Sequence, residues 1–261
     1  MPSAAGLYYF VHEEDNPTRP PVILLHGAGG THLDWPPQVR RLDGQPMIAV
    51  DLPGHGRSEG VGRQLVSDYA VDMLRFLDAM HLPSAVFVGH SLGSAIALTL
   101  ALENPERVFA LGLLGAAAQL RVAPALLEAA SRVSTFRQAV QMVVDKGYSV
   151  YAGARLKELA AERMARTRPP VFYGDFLACE AFNVSDRLGQ IRHTTLVLGA
   201  EQDVLTPAWC SSSLAAAIPG ARLQMIPWAG HMFIWEQPEK TASALAAFLT
   251  SLPDRPGTSP S

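Results

Sequence analysis

The sequence has few charges, and they are not grouped into blocks of one sign. Among 261 residues, 21 are basic and 24 are acidic, which gives a formal net charge of −3. Proteins that bind nucleic acids or anionic membrane surfaces usually carry clustered lysine and arginine, because those partners present dense negative charge. The composition therefore predicts neither a nucleic-acid partner nor a polybasic membrane patch.

Long apolar runs are also missing. No hydrophobic stretch approaches the ~18 residues that a membrane-spanning helix needs. The first residues lack the basic start of a secretory signal, and acidic residues follow as early as Glu13, Glu14 and Asp15. We therefore expect a cytoplasmic protein without a membrane span.

Cysteine is scarce, and no metal-binding pattern is present. Cys179 and Cys210 could pair in principle, but two buried, reduced thiols are the simpler interpretation in a reducing compartment. The eight histidines form neither an H-E-x-x-H sequence nor a pair at i, i+4. The glycine-rich stretch at residues 26–30 is not followed by the G-x-x-x-x-G-K of a phosphate-binding loop. These patterns predict no metal and no cofactor.

Hydrophobic residues nonetheless make up 48% of the chain, in short runs that alternate with longer helical segments. Several of these runs are continuously apolar, as in parallel strands that are covered on both faces. The predicted strands are Leu7–Val11, Val22–Leu25, Met47–Val50, Ala85–Val88, Val108–Leu114, Thr195–Leu198 and Arg222–Ile226. Strand and helix in repetition predict an α/β fold with a doubly wound, mostly parallel sheet.

The alternation stops between about residues 119 and 187. Four helical segments follow one another there without an intervening strand, at residues 124–133, 136–145, 154–167 and 172–182. A helical insertion between two late strands is the simplest explanation, and its position predicts a lid over the site. We therefore divide the chain into a core at residues 1–118 and 188–261 and a lid at residues 119–187.

A serine lies at a predicted strand-to-helix turn. The apolar run Ala85–Val88 leads into Gly89-His90-Ser91-Leu92-Gly93, which is followed by a helix that is apolar nearly all round. A nucleophile needs a tight turn to lift its hydroxyl clear of the sheet, and the flanking glycines leave room for the neighbouring backbone. The helix also directs its amino end toward the place where an oxyanion would form. The pattern predicts Ser91 as a nucleophile.

This motif, together with residues 26–30 (HGAGG) and residues 51–58 (DLPGHGRS), resembles the α/β-hydrolase superfamily. The resemblance is strongest to its small, single-chain esterase and lipase-like members. It implies the α/β-hydrolase fold and an oxyanion hole made by the backbone N–H groups of Ala28 and Leu92. We expect His26 and His55, in the other two motifs, to be structural rather than bases.

The resemblance also implies the acid and the base. The family's acid follows a late strand, and here Asp203 lies in the loop after Thr195–Leu198, with Glu201 as the competing carboxylate. The base follows the last strand, where Gly230 precedes His231. The chain order Ser91, Asp203, His231 is the order that this fold requires.

Apolar side chains of the lid and aromatic residues near the site loops predict a hydrophobic pocket, with Trp35, Trp228 and Phe233 as lining candidates. The expected function is hydrolysis of small to medium, fairly apolar carboxylic esters through an acyl-enzyme. The same triad could instead cleave a lactone, a thioester or a carbon–carbon bond. A ligand receptor that turns over slowly is the alternative from a different class, since fold alone does not define function.

Overall fold

The computed structural model describes residues 2–12 and 19–254. Residues 1, 13–18 and 255–261 of the predicted core lie outside the described residues. One sheet of eight strands has the order β1-β2-β4-β3-β5-β6-β7-β8. The strands are β1 (Ser3–Ala4), β2 (Leu7–His12), β3 (Val22–Leu25), β4 (Met47–Val50), β5 (Ala85–His90), β6 (Val108–Leu114), β7 (Thr194–Ala200) and β8 (Arg222–Ile226). The pairs β1–β2 and β2–β4 are antiparallel and the other pairs are parallel, which confirms the predicted sheet.

Helices connect the strands and cover both faces of the sheet. They are α1 (Pro37–Arg40), α2 (Val66–Ala79), α3 (Leu92–Glu103), α4 (Pro124–Ala130), α5 (Phe136–Gly147), α6 (Ala154–Met164), α7 (Pro169–Ala181), α8 (Ala208–Ala217), α9 (Phe233–Glu236) and α10 (Pro238–Thr250). The crossovers between parallel strands place the carboxyl ends of β3 and β5–β8 at one edge, where ligands bind in sheets of this kind.

The central strand β3 shows why its sequence is continuously apolar. Ile23 and Leu25 pack into the hydrophobic layer that contains α2 and α3. Val22 and Leu24 alternate with them and pack into the opposite layer, which contains α10. All four side chains are fully buried. A strand between two helical layers needs hydrophobic residues at every position.

Helices α4–α7 form a separate layer between β6 and β7. They have their own hydrophobic cluster, in which the rings of Phe136 and Phe172 meet edge to face with centroids 5.2 Å apart. The two ends of the layer are tied together by an antiparallel bridge between Gln119 and Asn183, and the N–H of Val184 donates to the carbonyl oxygen of Ala118 at 2.8 Å. The layer therefore leaves and rejoins the sheet at one place.

Candidate active site

Ser91 lies on a strained turn between β5 and α3. Its φ of 54° is in the left-handed region, which costs energy for a residue with a side chain. The turn depends on close backbone approach at two glycines. A Cβ at Gly93 would lie 2.1 Å from the carbonyl oxygen of Leu25, and one at Gly89 would lie 2.2 Å from the backbone of Gly93. These distances are far below contact, so α3 begins directly against the sheet and the Ser91 side chain is held at its edge.

Asp203 and His231 form a buried pair. The imidazole Nδ1 lies 2.8 Å from Oδ2 of Asp203. The N–H groups of Leu205 and Thr206 each donate to Oδ1 at 2.8 Å, and the Thr206 hydroxyl donates to Oδ2 at 2.7 Å. Burial alone would raise the pKa of Asp203, but His231 and the Thr206 donors outweigh it and lower that pKa. An ionised carboxylate only accepts hydrogen bonds, so Nδ1 of His231 carries the proton and Nε2 is left as the basic nitrogen.

His90 packs against His231 and hydrogen-bonds to its backbone. Its Nε2 lies 2.9 Å from the carbonyl oxygen of His231, and the two ring centroids are 4.8 Å apart. A carbonyl can only accept, so His90 donates from Nε2. Burial lowers the pKa of His90 to about 3, which keeps it neutral. This hydrogen bond holds the backbone of the loop that carries His231, and the sequence pattern did not predict it.

Ala28 and Leu92 lie beside Ser91, so the oxyanion hole they would form stays a prediction. Leu92 is the first residue of α3, where N–H groups lack partners within the helix. Ala28 lines the same cavity as Ser91. The preceding residue, Gly27, packs so close that a Cβ there would lie 3.4 Å from Cβ of Ser91. The turn after β3 and the turn after β5 are therefore in direct contact.

His26 holds the turn after β3. Its Nδ1 donates to the carbonyl oxygen of Gly27 at 2.8 Å, and its Nε2 accepts from the N–H of Leu52 at 3.1 Å. Burial is the largest influence on its pKa, which falls to about 4. A neutral histidine with both nitrogens occupied has a structural role, in agreement with the expectation.

Asp175, a fully buried carboxylate on α7, was not predicted from the sequence. It accepts hydrogen bonds from the N–H of Gly29 at 2.7 Å, from Nε2 of His55 at 2.8 Å and from the hydroxyl of Tyr69 at 2.5 Å. Nδ1 of His55 lies 3.1 Å from the carbonyl oxygen of Pro53. Burial lowers the pKa of His55, but the charge and hydrogen bond of Asp175 outweigh burial, and the net pKa is raised. Asp175 and His55 thus form a buried pair that joins the helical layer to the loop after β4, and the Gly29 bond joins Asp175 to the turn after β3.

A cavity of about 890 Å³ contains both Ser91 and His231. Most of its inner wall is apolar, with side chains from residues 117–126, α5, α7 and α8. Three charged side chains that line it, Arg121, Asp145 and Lys146, are exposed at the rim. The site therefore offers a neutral, largely hydrophobic environment next to the serine.

The three aromatic residues expected to line this cavity lie elsewhere. Trp35 and Phe233 are fully buried in the layer around α10, on the far face of the sheet. Trp228 is 57% exposed and packs edge to face against Tyr151, with ring centroids 5.6 Å apart. Nearness in sequence to the catalytic loops was a poor guide, because a side chain that follows a strand can point to either face.

A second, smaller cavity of about 80 Å³ lies on the other side of the turn after β3. Its wall includes Asp34, Tyr148 and Arg163. Burial raises the pKa of Asp34 to about 6. The Arg163 guanidinium is stacked 4.7 Å above the ring of Trp235. This cavity has no nucleophile, so the chemistry described above belongs to the larger one.

Among residues 2–12 and 19–254, no helix is long and apolar enough to cross a bilayer. Within the same described residues, no three histidine, cysteine or acidic side chains converge in a way that could hold a metal ion. Cys179 and Cys210 are both buried and unpaired, so the interpretation as free thiols is confirmed.

Known proteins resemble the chain in sequence and in fold. Residues 22–244 match the family model described as the alpha/beta hydrolase family. The chain is 31% identical over 265 residues to RutD of Caulobacter segnis, named as a candidate carbamate hydrolase, with 94% of this chain and 96% of that protein covered. A thermophilic esterase of known structure is 29% identical with a TM-score of 0.80, covering 95% of this chain and 100% of the other. The enol-lactonase from Burkholderia xenovorans LB400 shares the fold, with a TM-score of 0.87 at 22% identity over 94% and 96% of the two chains.

Proposed function

The chain belongs to the α/β-hydrolase family, and we propose that it hydrolyses carboxylic esters through an acyl-enzyme on Ser91. The observation that carries the proposal is the arrangement around one cavity. A strained serine at the start of a helix faces the same space as a histidine whose Nδ1 is fixed by a buried carboxylate. This is the combination that nucleophilic catalysis by serine requires.

In the first half of the reaction, Nε2 of His231 takes the proton of the Ser91 hydroxyl as the oxygen attacks the ester carbonyl. Asp203 holds the imidazole in the tautomer that leaves Nε2 free, and its charge stabilises the imidazolium that forms. The backbone N–H groups of Ala28 and Leu92 stabilise the negative oxygen of the tetrahedral intermediate. His231 then returns the proton to the departing alcohol.

In the second half, a water molecule takes the place of the alcohol. His231 accepts its proton as the water oxygen attacks the acyl carbon, and the second tetrahedral intermediate uses the same two N–H donors. Collapse of this intermediate releases the acid and returns the proton to Ser91. Both halves therefore need one base, one acid and one oxyanion hole, all at the edge of the sheet.

The shape of the cavity favours an apolar ester over the smaller polar substrates suggested by some relatives. RutD is named as a candidate carbamate hydrolase, and a carbamate group is attacked by the same chemistry. A small carbamate would fill little of a cavity of about 890 Å³ whose inner wall is mostly apolar. Lactones, thioesters and a carbon–carbon bond next to a carbonyl remain alternatives for the same triad. The two free thiols suit a reducing compartment such as the cytoplasm.

The test begins with covalent labelling. A fluorophosphonate should add once to the protein and only at Ser91, because this hydroxyl has both a base and an oxyanion hole. Ser91→Ala should abolish labelling and lower kcat by several orders of magnitude, the residual rate coming from binding and the oxyanion hole. Adduct on another serine in peptide mapping would contradict the assignment.

A panel of substrates distinguishes the remaining hypotheses about the reaction. p-Nitrophenyl esters, lactones, thioesters and carbamates should be compared by kcat/KM, each beside Ser91→Ala. We expect the esters to be the best substrates. Turnover below about one per minute on every compound, far under typical enzyme rates, would favour the slow-turnover receptor instead.

A further inference from the structure

One face of α8 forms a continuous wall of the large cavity. Cys210, Ser213 and Ala217 all line it, and their spacing of three and four residues places them on one side of the helix. The helix starts beside the catalytic histidine, because the Thr206 hydroxyl, just before α8, lies 3.1 Å from Nδ1 of His231. The wall therefore runs from the reacting centre toward the other end of the helix.

Trp209, in the first turn of α8, also lines the cavity and is largely exposed, but from Cys210 onward this wall is bordered by small side chains. The seven residue steps from Cys210 to Ala217 cover about 10 Å, at roughly 1.5 Å per residue. Cysteine, serine and alanine leave space beside the helix that larger residues would fill. Hydrophobic side chains from other elements line the same cavity, among them Leu120 and Leu188. The stretch of the cavity along α8 from Cys210 to Ala217 is therefore an apolar groove.

The far end of the groove reaches solvent. Ser185, Ser213 and Ala217 line the cavity and are exposed at the surface, whereas Cys210 is buried. A ligand in the groove can therefore be straight, with its last atoms close to water. No charged side chain borders the groove between Cys210 and Ala217 on α8 itself.

We propose that one arm of the substrate ester is an unbranched alkyl chain of about eight carbons, which lies in the groove along α8. An extended chain advances roughly 1.3 Å per carbon, given C–C bonds of about 1.5 Å, so eight carbons match the wall from Cys210 to Ala217. Each methylene that moves from water into the groove should raise kcat/KM by up to about fourfold. This inference rests on the proposed ester hydrolysis and adds the substrate class.

The experiment measures kcat/KM for two series of esters at concentrations below micelle formation. One series runs from p-nitrophenyl acetate to p-nitrophenyl decanoate, and the other runs from ethyl to decyl acetate. The first series varies the acyl arm and the second varies the alcohol arm. The increase in kcat/KM with chain length should therefore appear in the series whose varied arm occupies the groove. We expect kcat/KM to increase toward about eight carbons in that series and then to level off, since further carbons reach solvent.

Ala217→Trp places an indole in the far end of the groove, and Ala216→Trp is the matched control. Ala216 is also exposed on α8 but does not line the cavity. Ala217→Trp should lower the ratio of kcat/KM for the eight-carbon ester to kcat/KM for the acetate at least about tenfold, while Ala216→Trp should leave this ratio unchanged. Ser213→Phe, nearer the histidine, should shift the preference to shorter chains and serves if Ala217→Trp folds poorly.

The possible failures are distinguishable. If kcat/KM does not change with chain length in either series, or if Ala216→Trp and Ala217→Trp have equal effects, the proposal of a chain-binding groove is wrong. Ser91-dependent cleavage of acetate esters would still support the proposed function. The absence of any Ser91-dependent ester hydrolysis would overturn both.

Discussion

The buried pair between the helical layer and the core offers the sharpest test of how the site is held. Asp175→Asn removes the charge of a carboxylate that is fully buried and accepts three hydrogen bonds. The amide has nearly the same shape, so the change adds no cavity. What it removes is the counter-charge for His55, whose raised pKa indicates a buried cation.

We expect Asp175→Asn to lower the unfolding free energy by a large amount. Breaking a buried ion pair by removing one partner costs about 3–5 kcal/mol, because the other charge remains without compensation. The amide oxygen can still accept from Gly29, and the Tyr69 hydroxyl can turn to accept, so we expect the lower end of that range. Three kcal/mol would move a urea midpoint by about 1 M or more, given slopes of about 1–3 kcal/mol per molar. His55→Gln should cost less, because its amide can still donate to Asp175.

The direction of the pH dependence follows from the raised pKa of His55. A raised histidine pKa stabilises the folded state fully below the ordinary value of about 6.5, and this contribution is lost as the pH rises through the folded-state pKa. The difference in unfolding free energy between wild type and Asp175→Asn should therefore be larger at pH 6 than at pH 9. Urea titrations followed by circular dichroism at both values measure it.

Asp78→Asn is the matched control, because Asp78 pairs with Arg107 at 2.7 Å but is 67% exposed. An exposed pair of the same length contributes about 0–1 kcal/mol. If Asp175→Asn lowers the unfolding free energy no more than Asp78→Asn does, or if its effect grows with pH, the Asp175–His55 pair does not stabilise the helical layer in this way.

Three further outcomes follow from the site. Asp203→Asn should lower kcat by about three to four orders of magnitude because the amide favours the wrong tautomer of His231. Glu201→Gln should stay within about twofold, since the Glu201 carboxylate accepts a hydrogen bond from the exposed N–H of Trp228 at 3.3 Å and not from His231; the reverse ranking in steady-state kinetics would exchange their roles. Asp34→Asn should raise the unfolding free energy at pH 8 by up to about 2 kcal/mol and change it little at pH 4, as a raised carboxyl pKa destabilises the folded state above that pKa. Equal effects at both pH values in thermal or urea unfolding would contradict this.

The sheet could be predicted because its signal is local. Every predicted strand is present. Those in the middle of the sheet are hydrophobic throughout because both of their faces are buried, whereas the edge strand β8 is largely exposed. The short helix α8 escaped prediction because its apolar, alanine-rich and serine-rich sequence lacks a one-sided pattern, yet it forms a wall of the cavity.

Residues of the candidate site were predictable where a motif joins adjacent residues. The prediction failed where the contacts join residues that are distant in sequence. Ser91 and its glycines form one motif, and Asp203 follows directly after its strand. Asp175 gave no signal because its partners lie about 120 and 146 positions away in His55 and Gly29, and a single acidic residue on a helix usually faces solvent. Trp35 shows the opposite error. It was predicted to line the site, but its large hydrophobic side chain is fully buried in the core.

The helical layer holds the catalytic loops from two sides. At the turn after β3, Gly29 donates to Asp175 and accepts from the Thr167 hydroxyl at 2.8 Å, next to the proposed donor Ala28.

At the histidine loop, the N–H of Met232 donates to the carbonyl oxygen of Gly147 at 2.8 Å, beside His231. Glu236 accepts from the N–H of Gly230 at 2.9 Å and from the Ser149 hydroxyl. A lid that swung away as a rigid body would break the bonds that Gly29, Met232 and Glu236 make to the helical layer, and it would expose Asp175 and His55 to water. The contacts therefore argue against a rigid-body opening of α5 and α7.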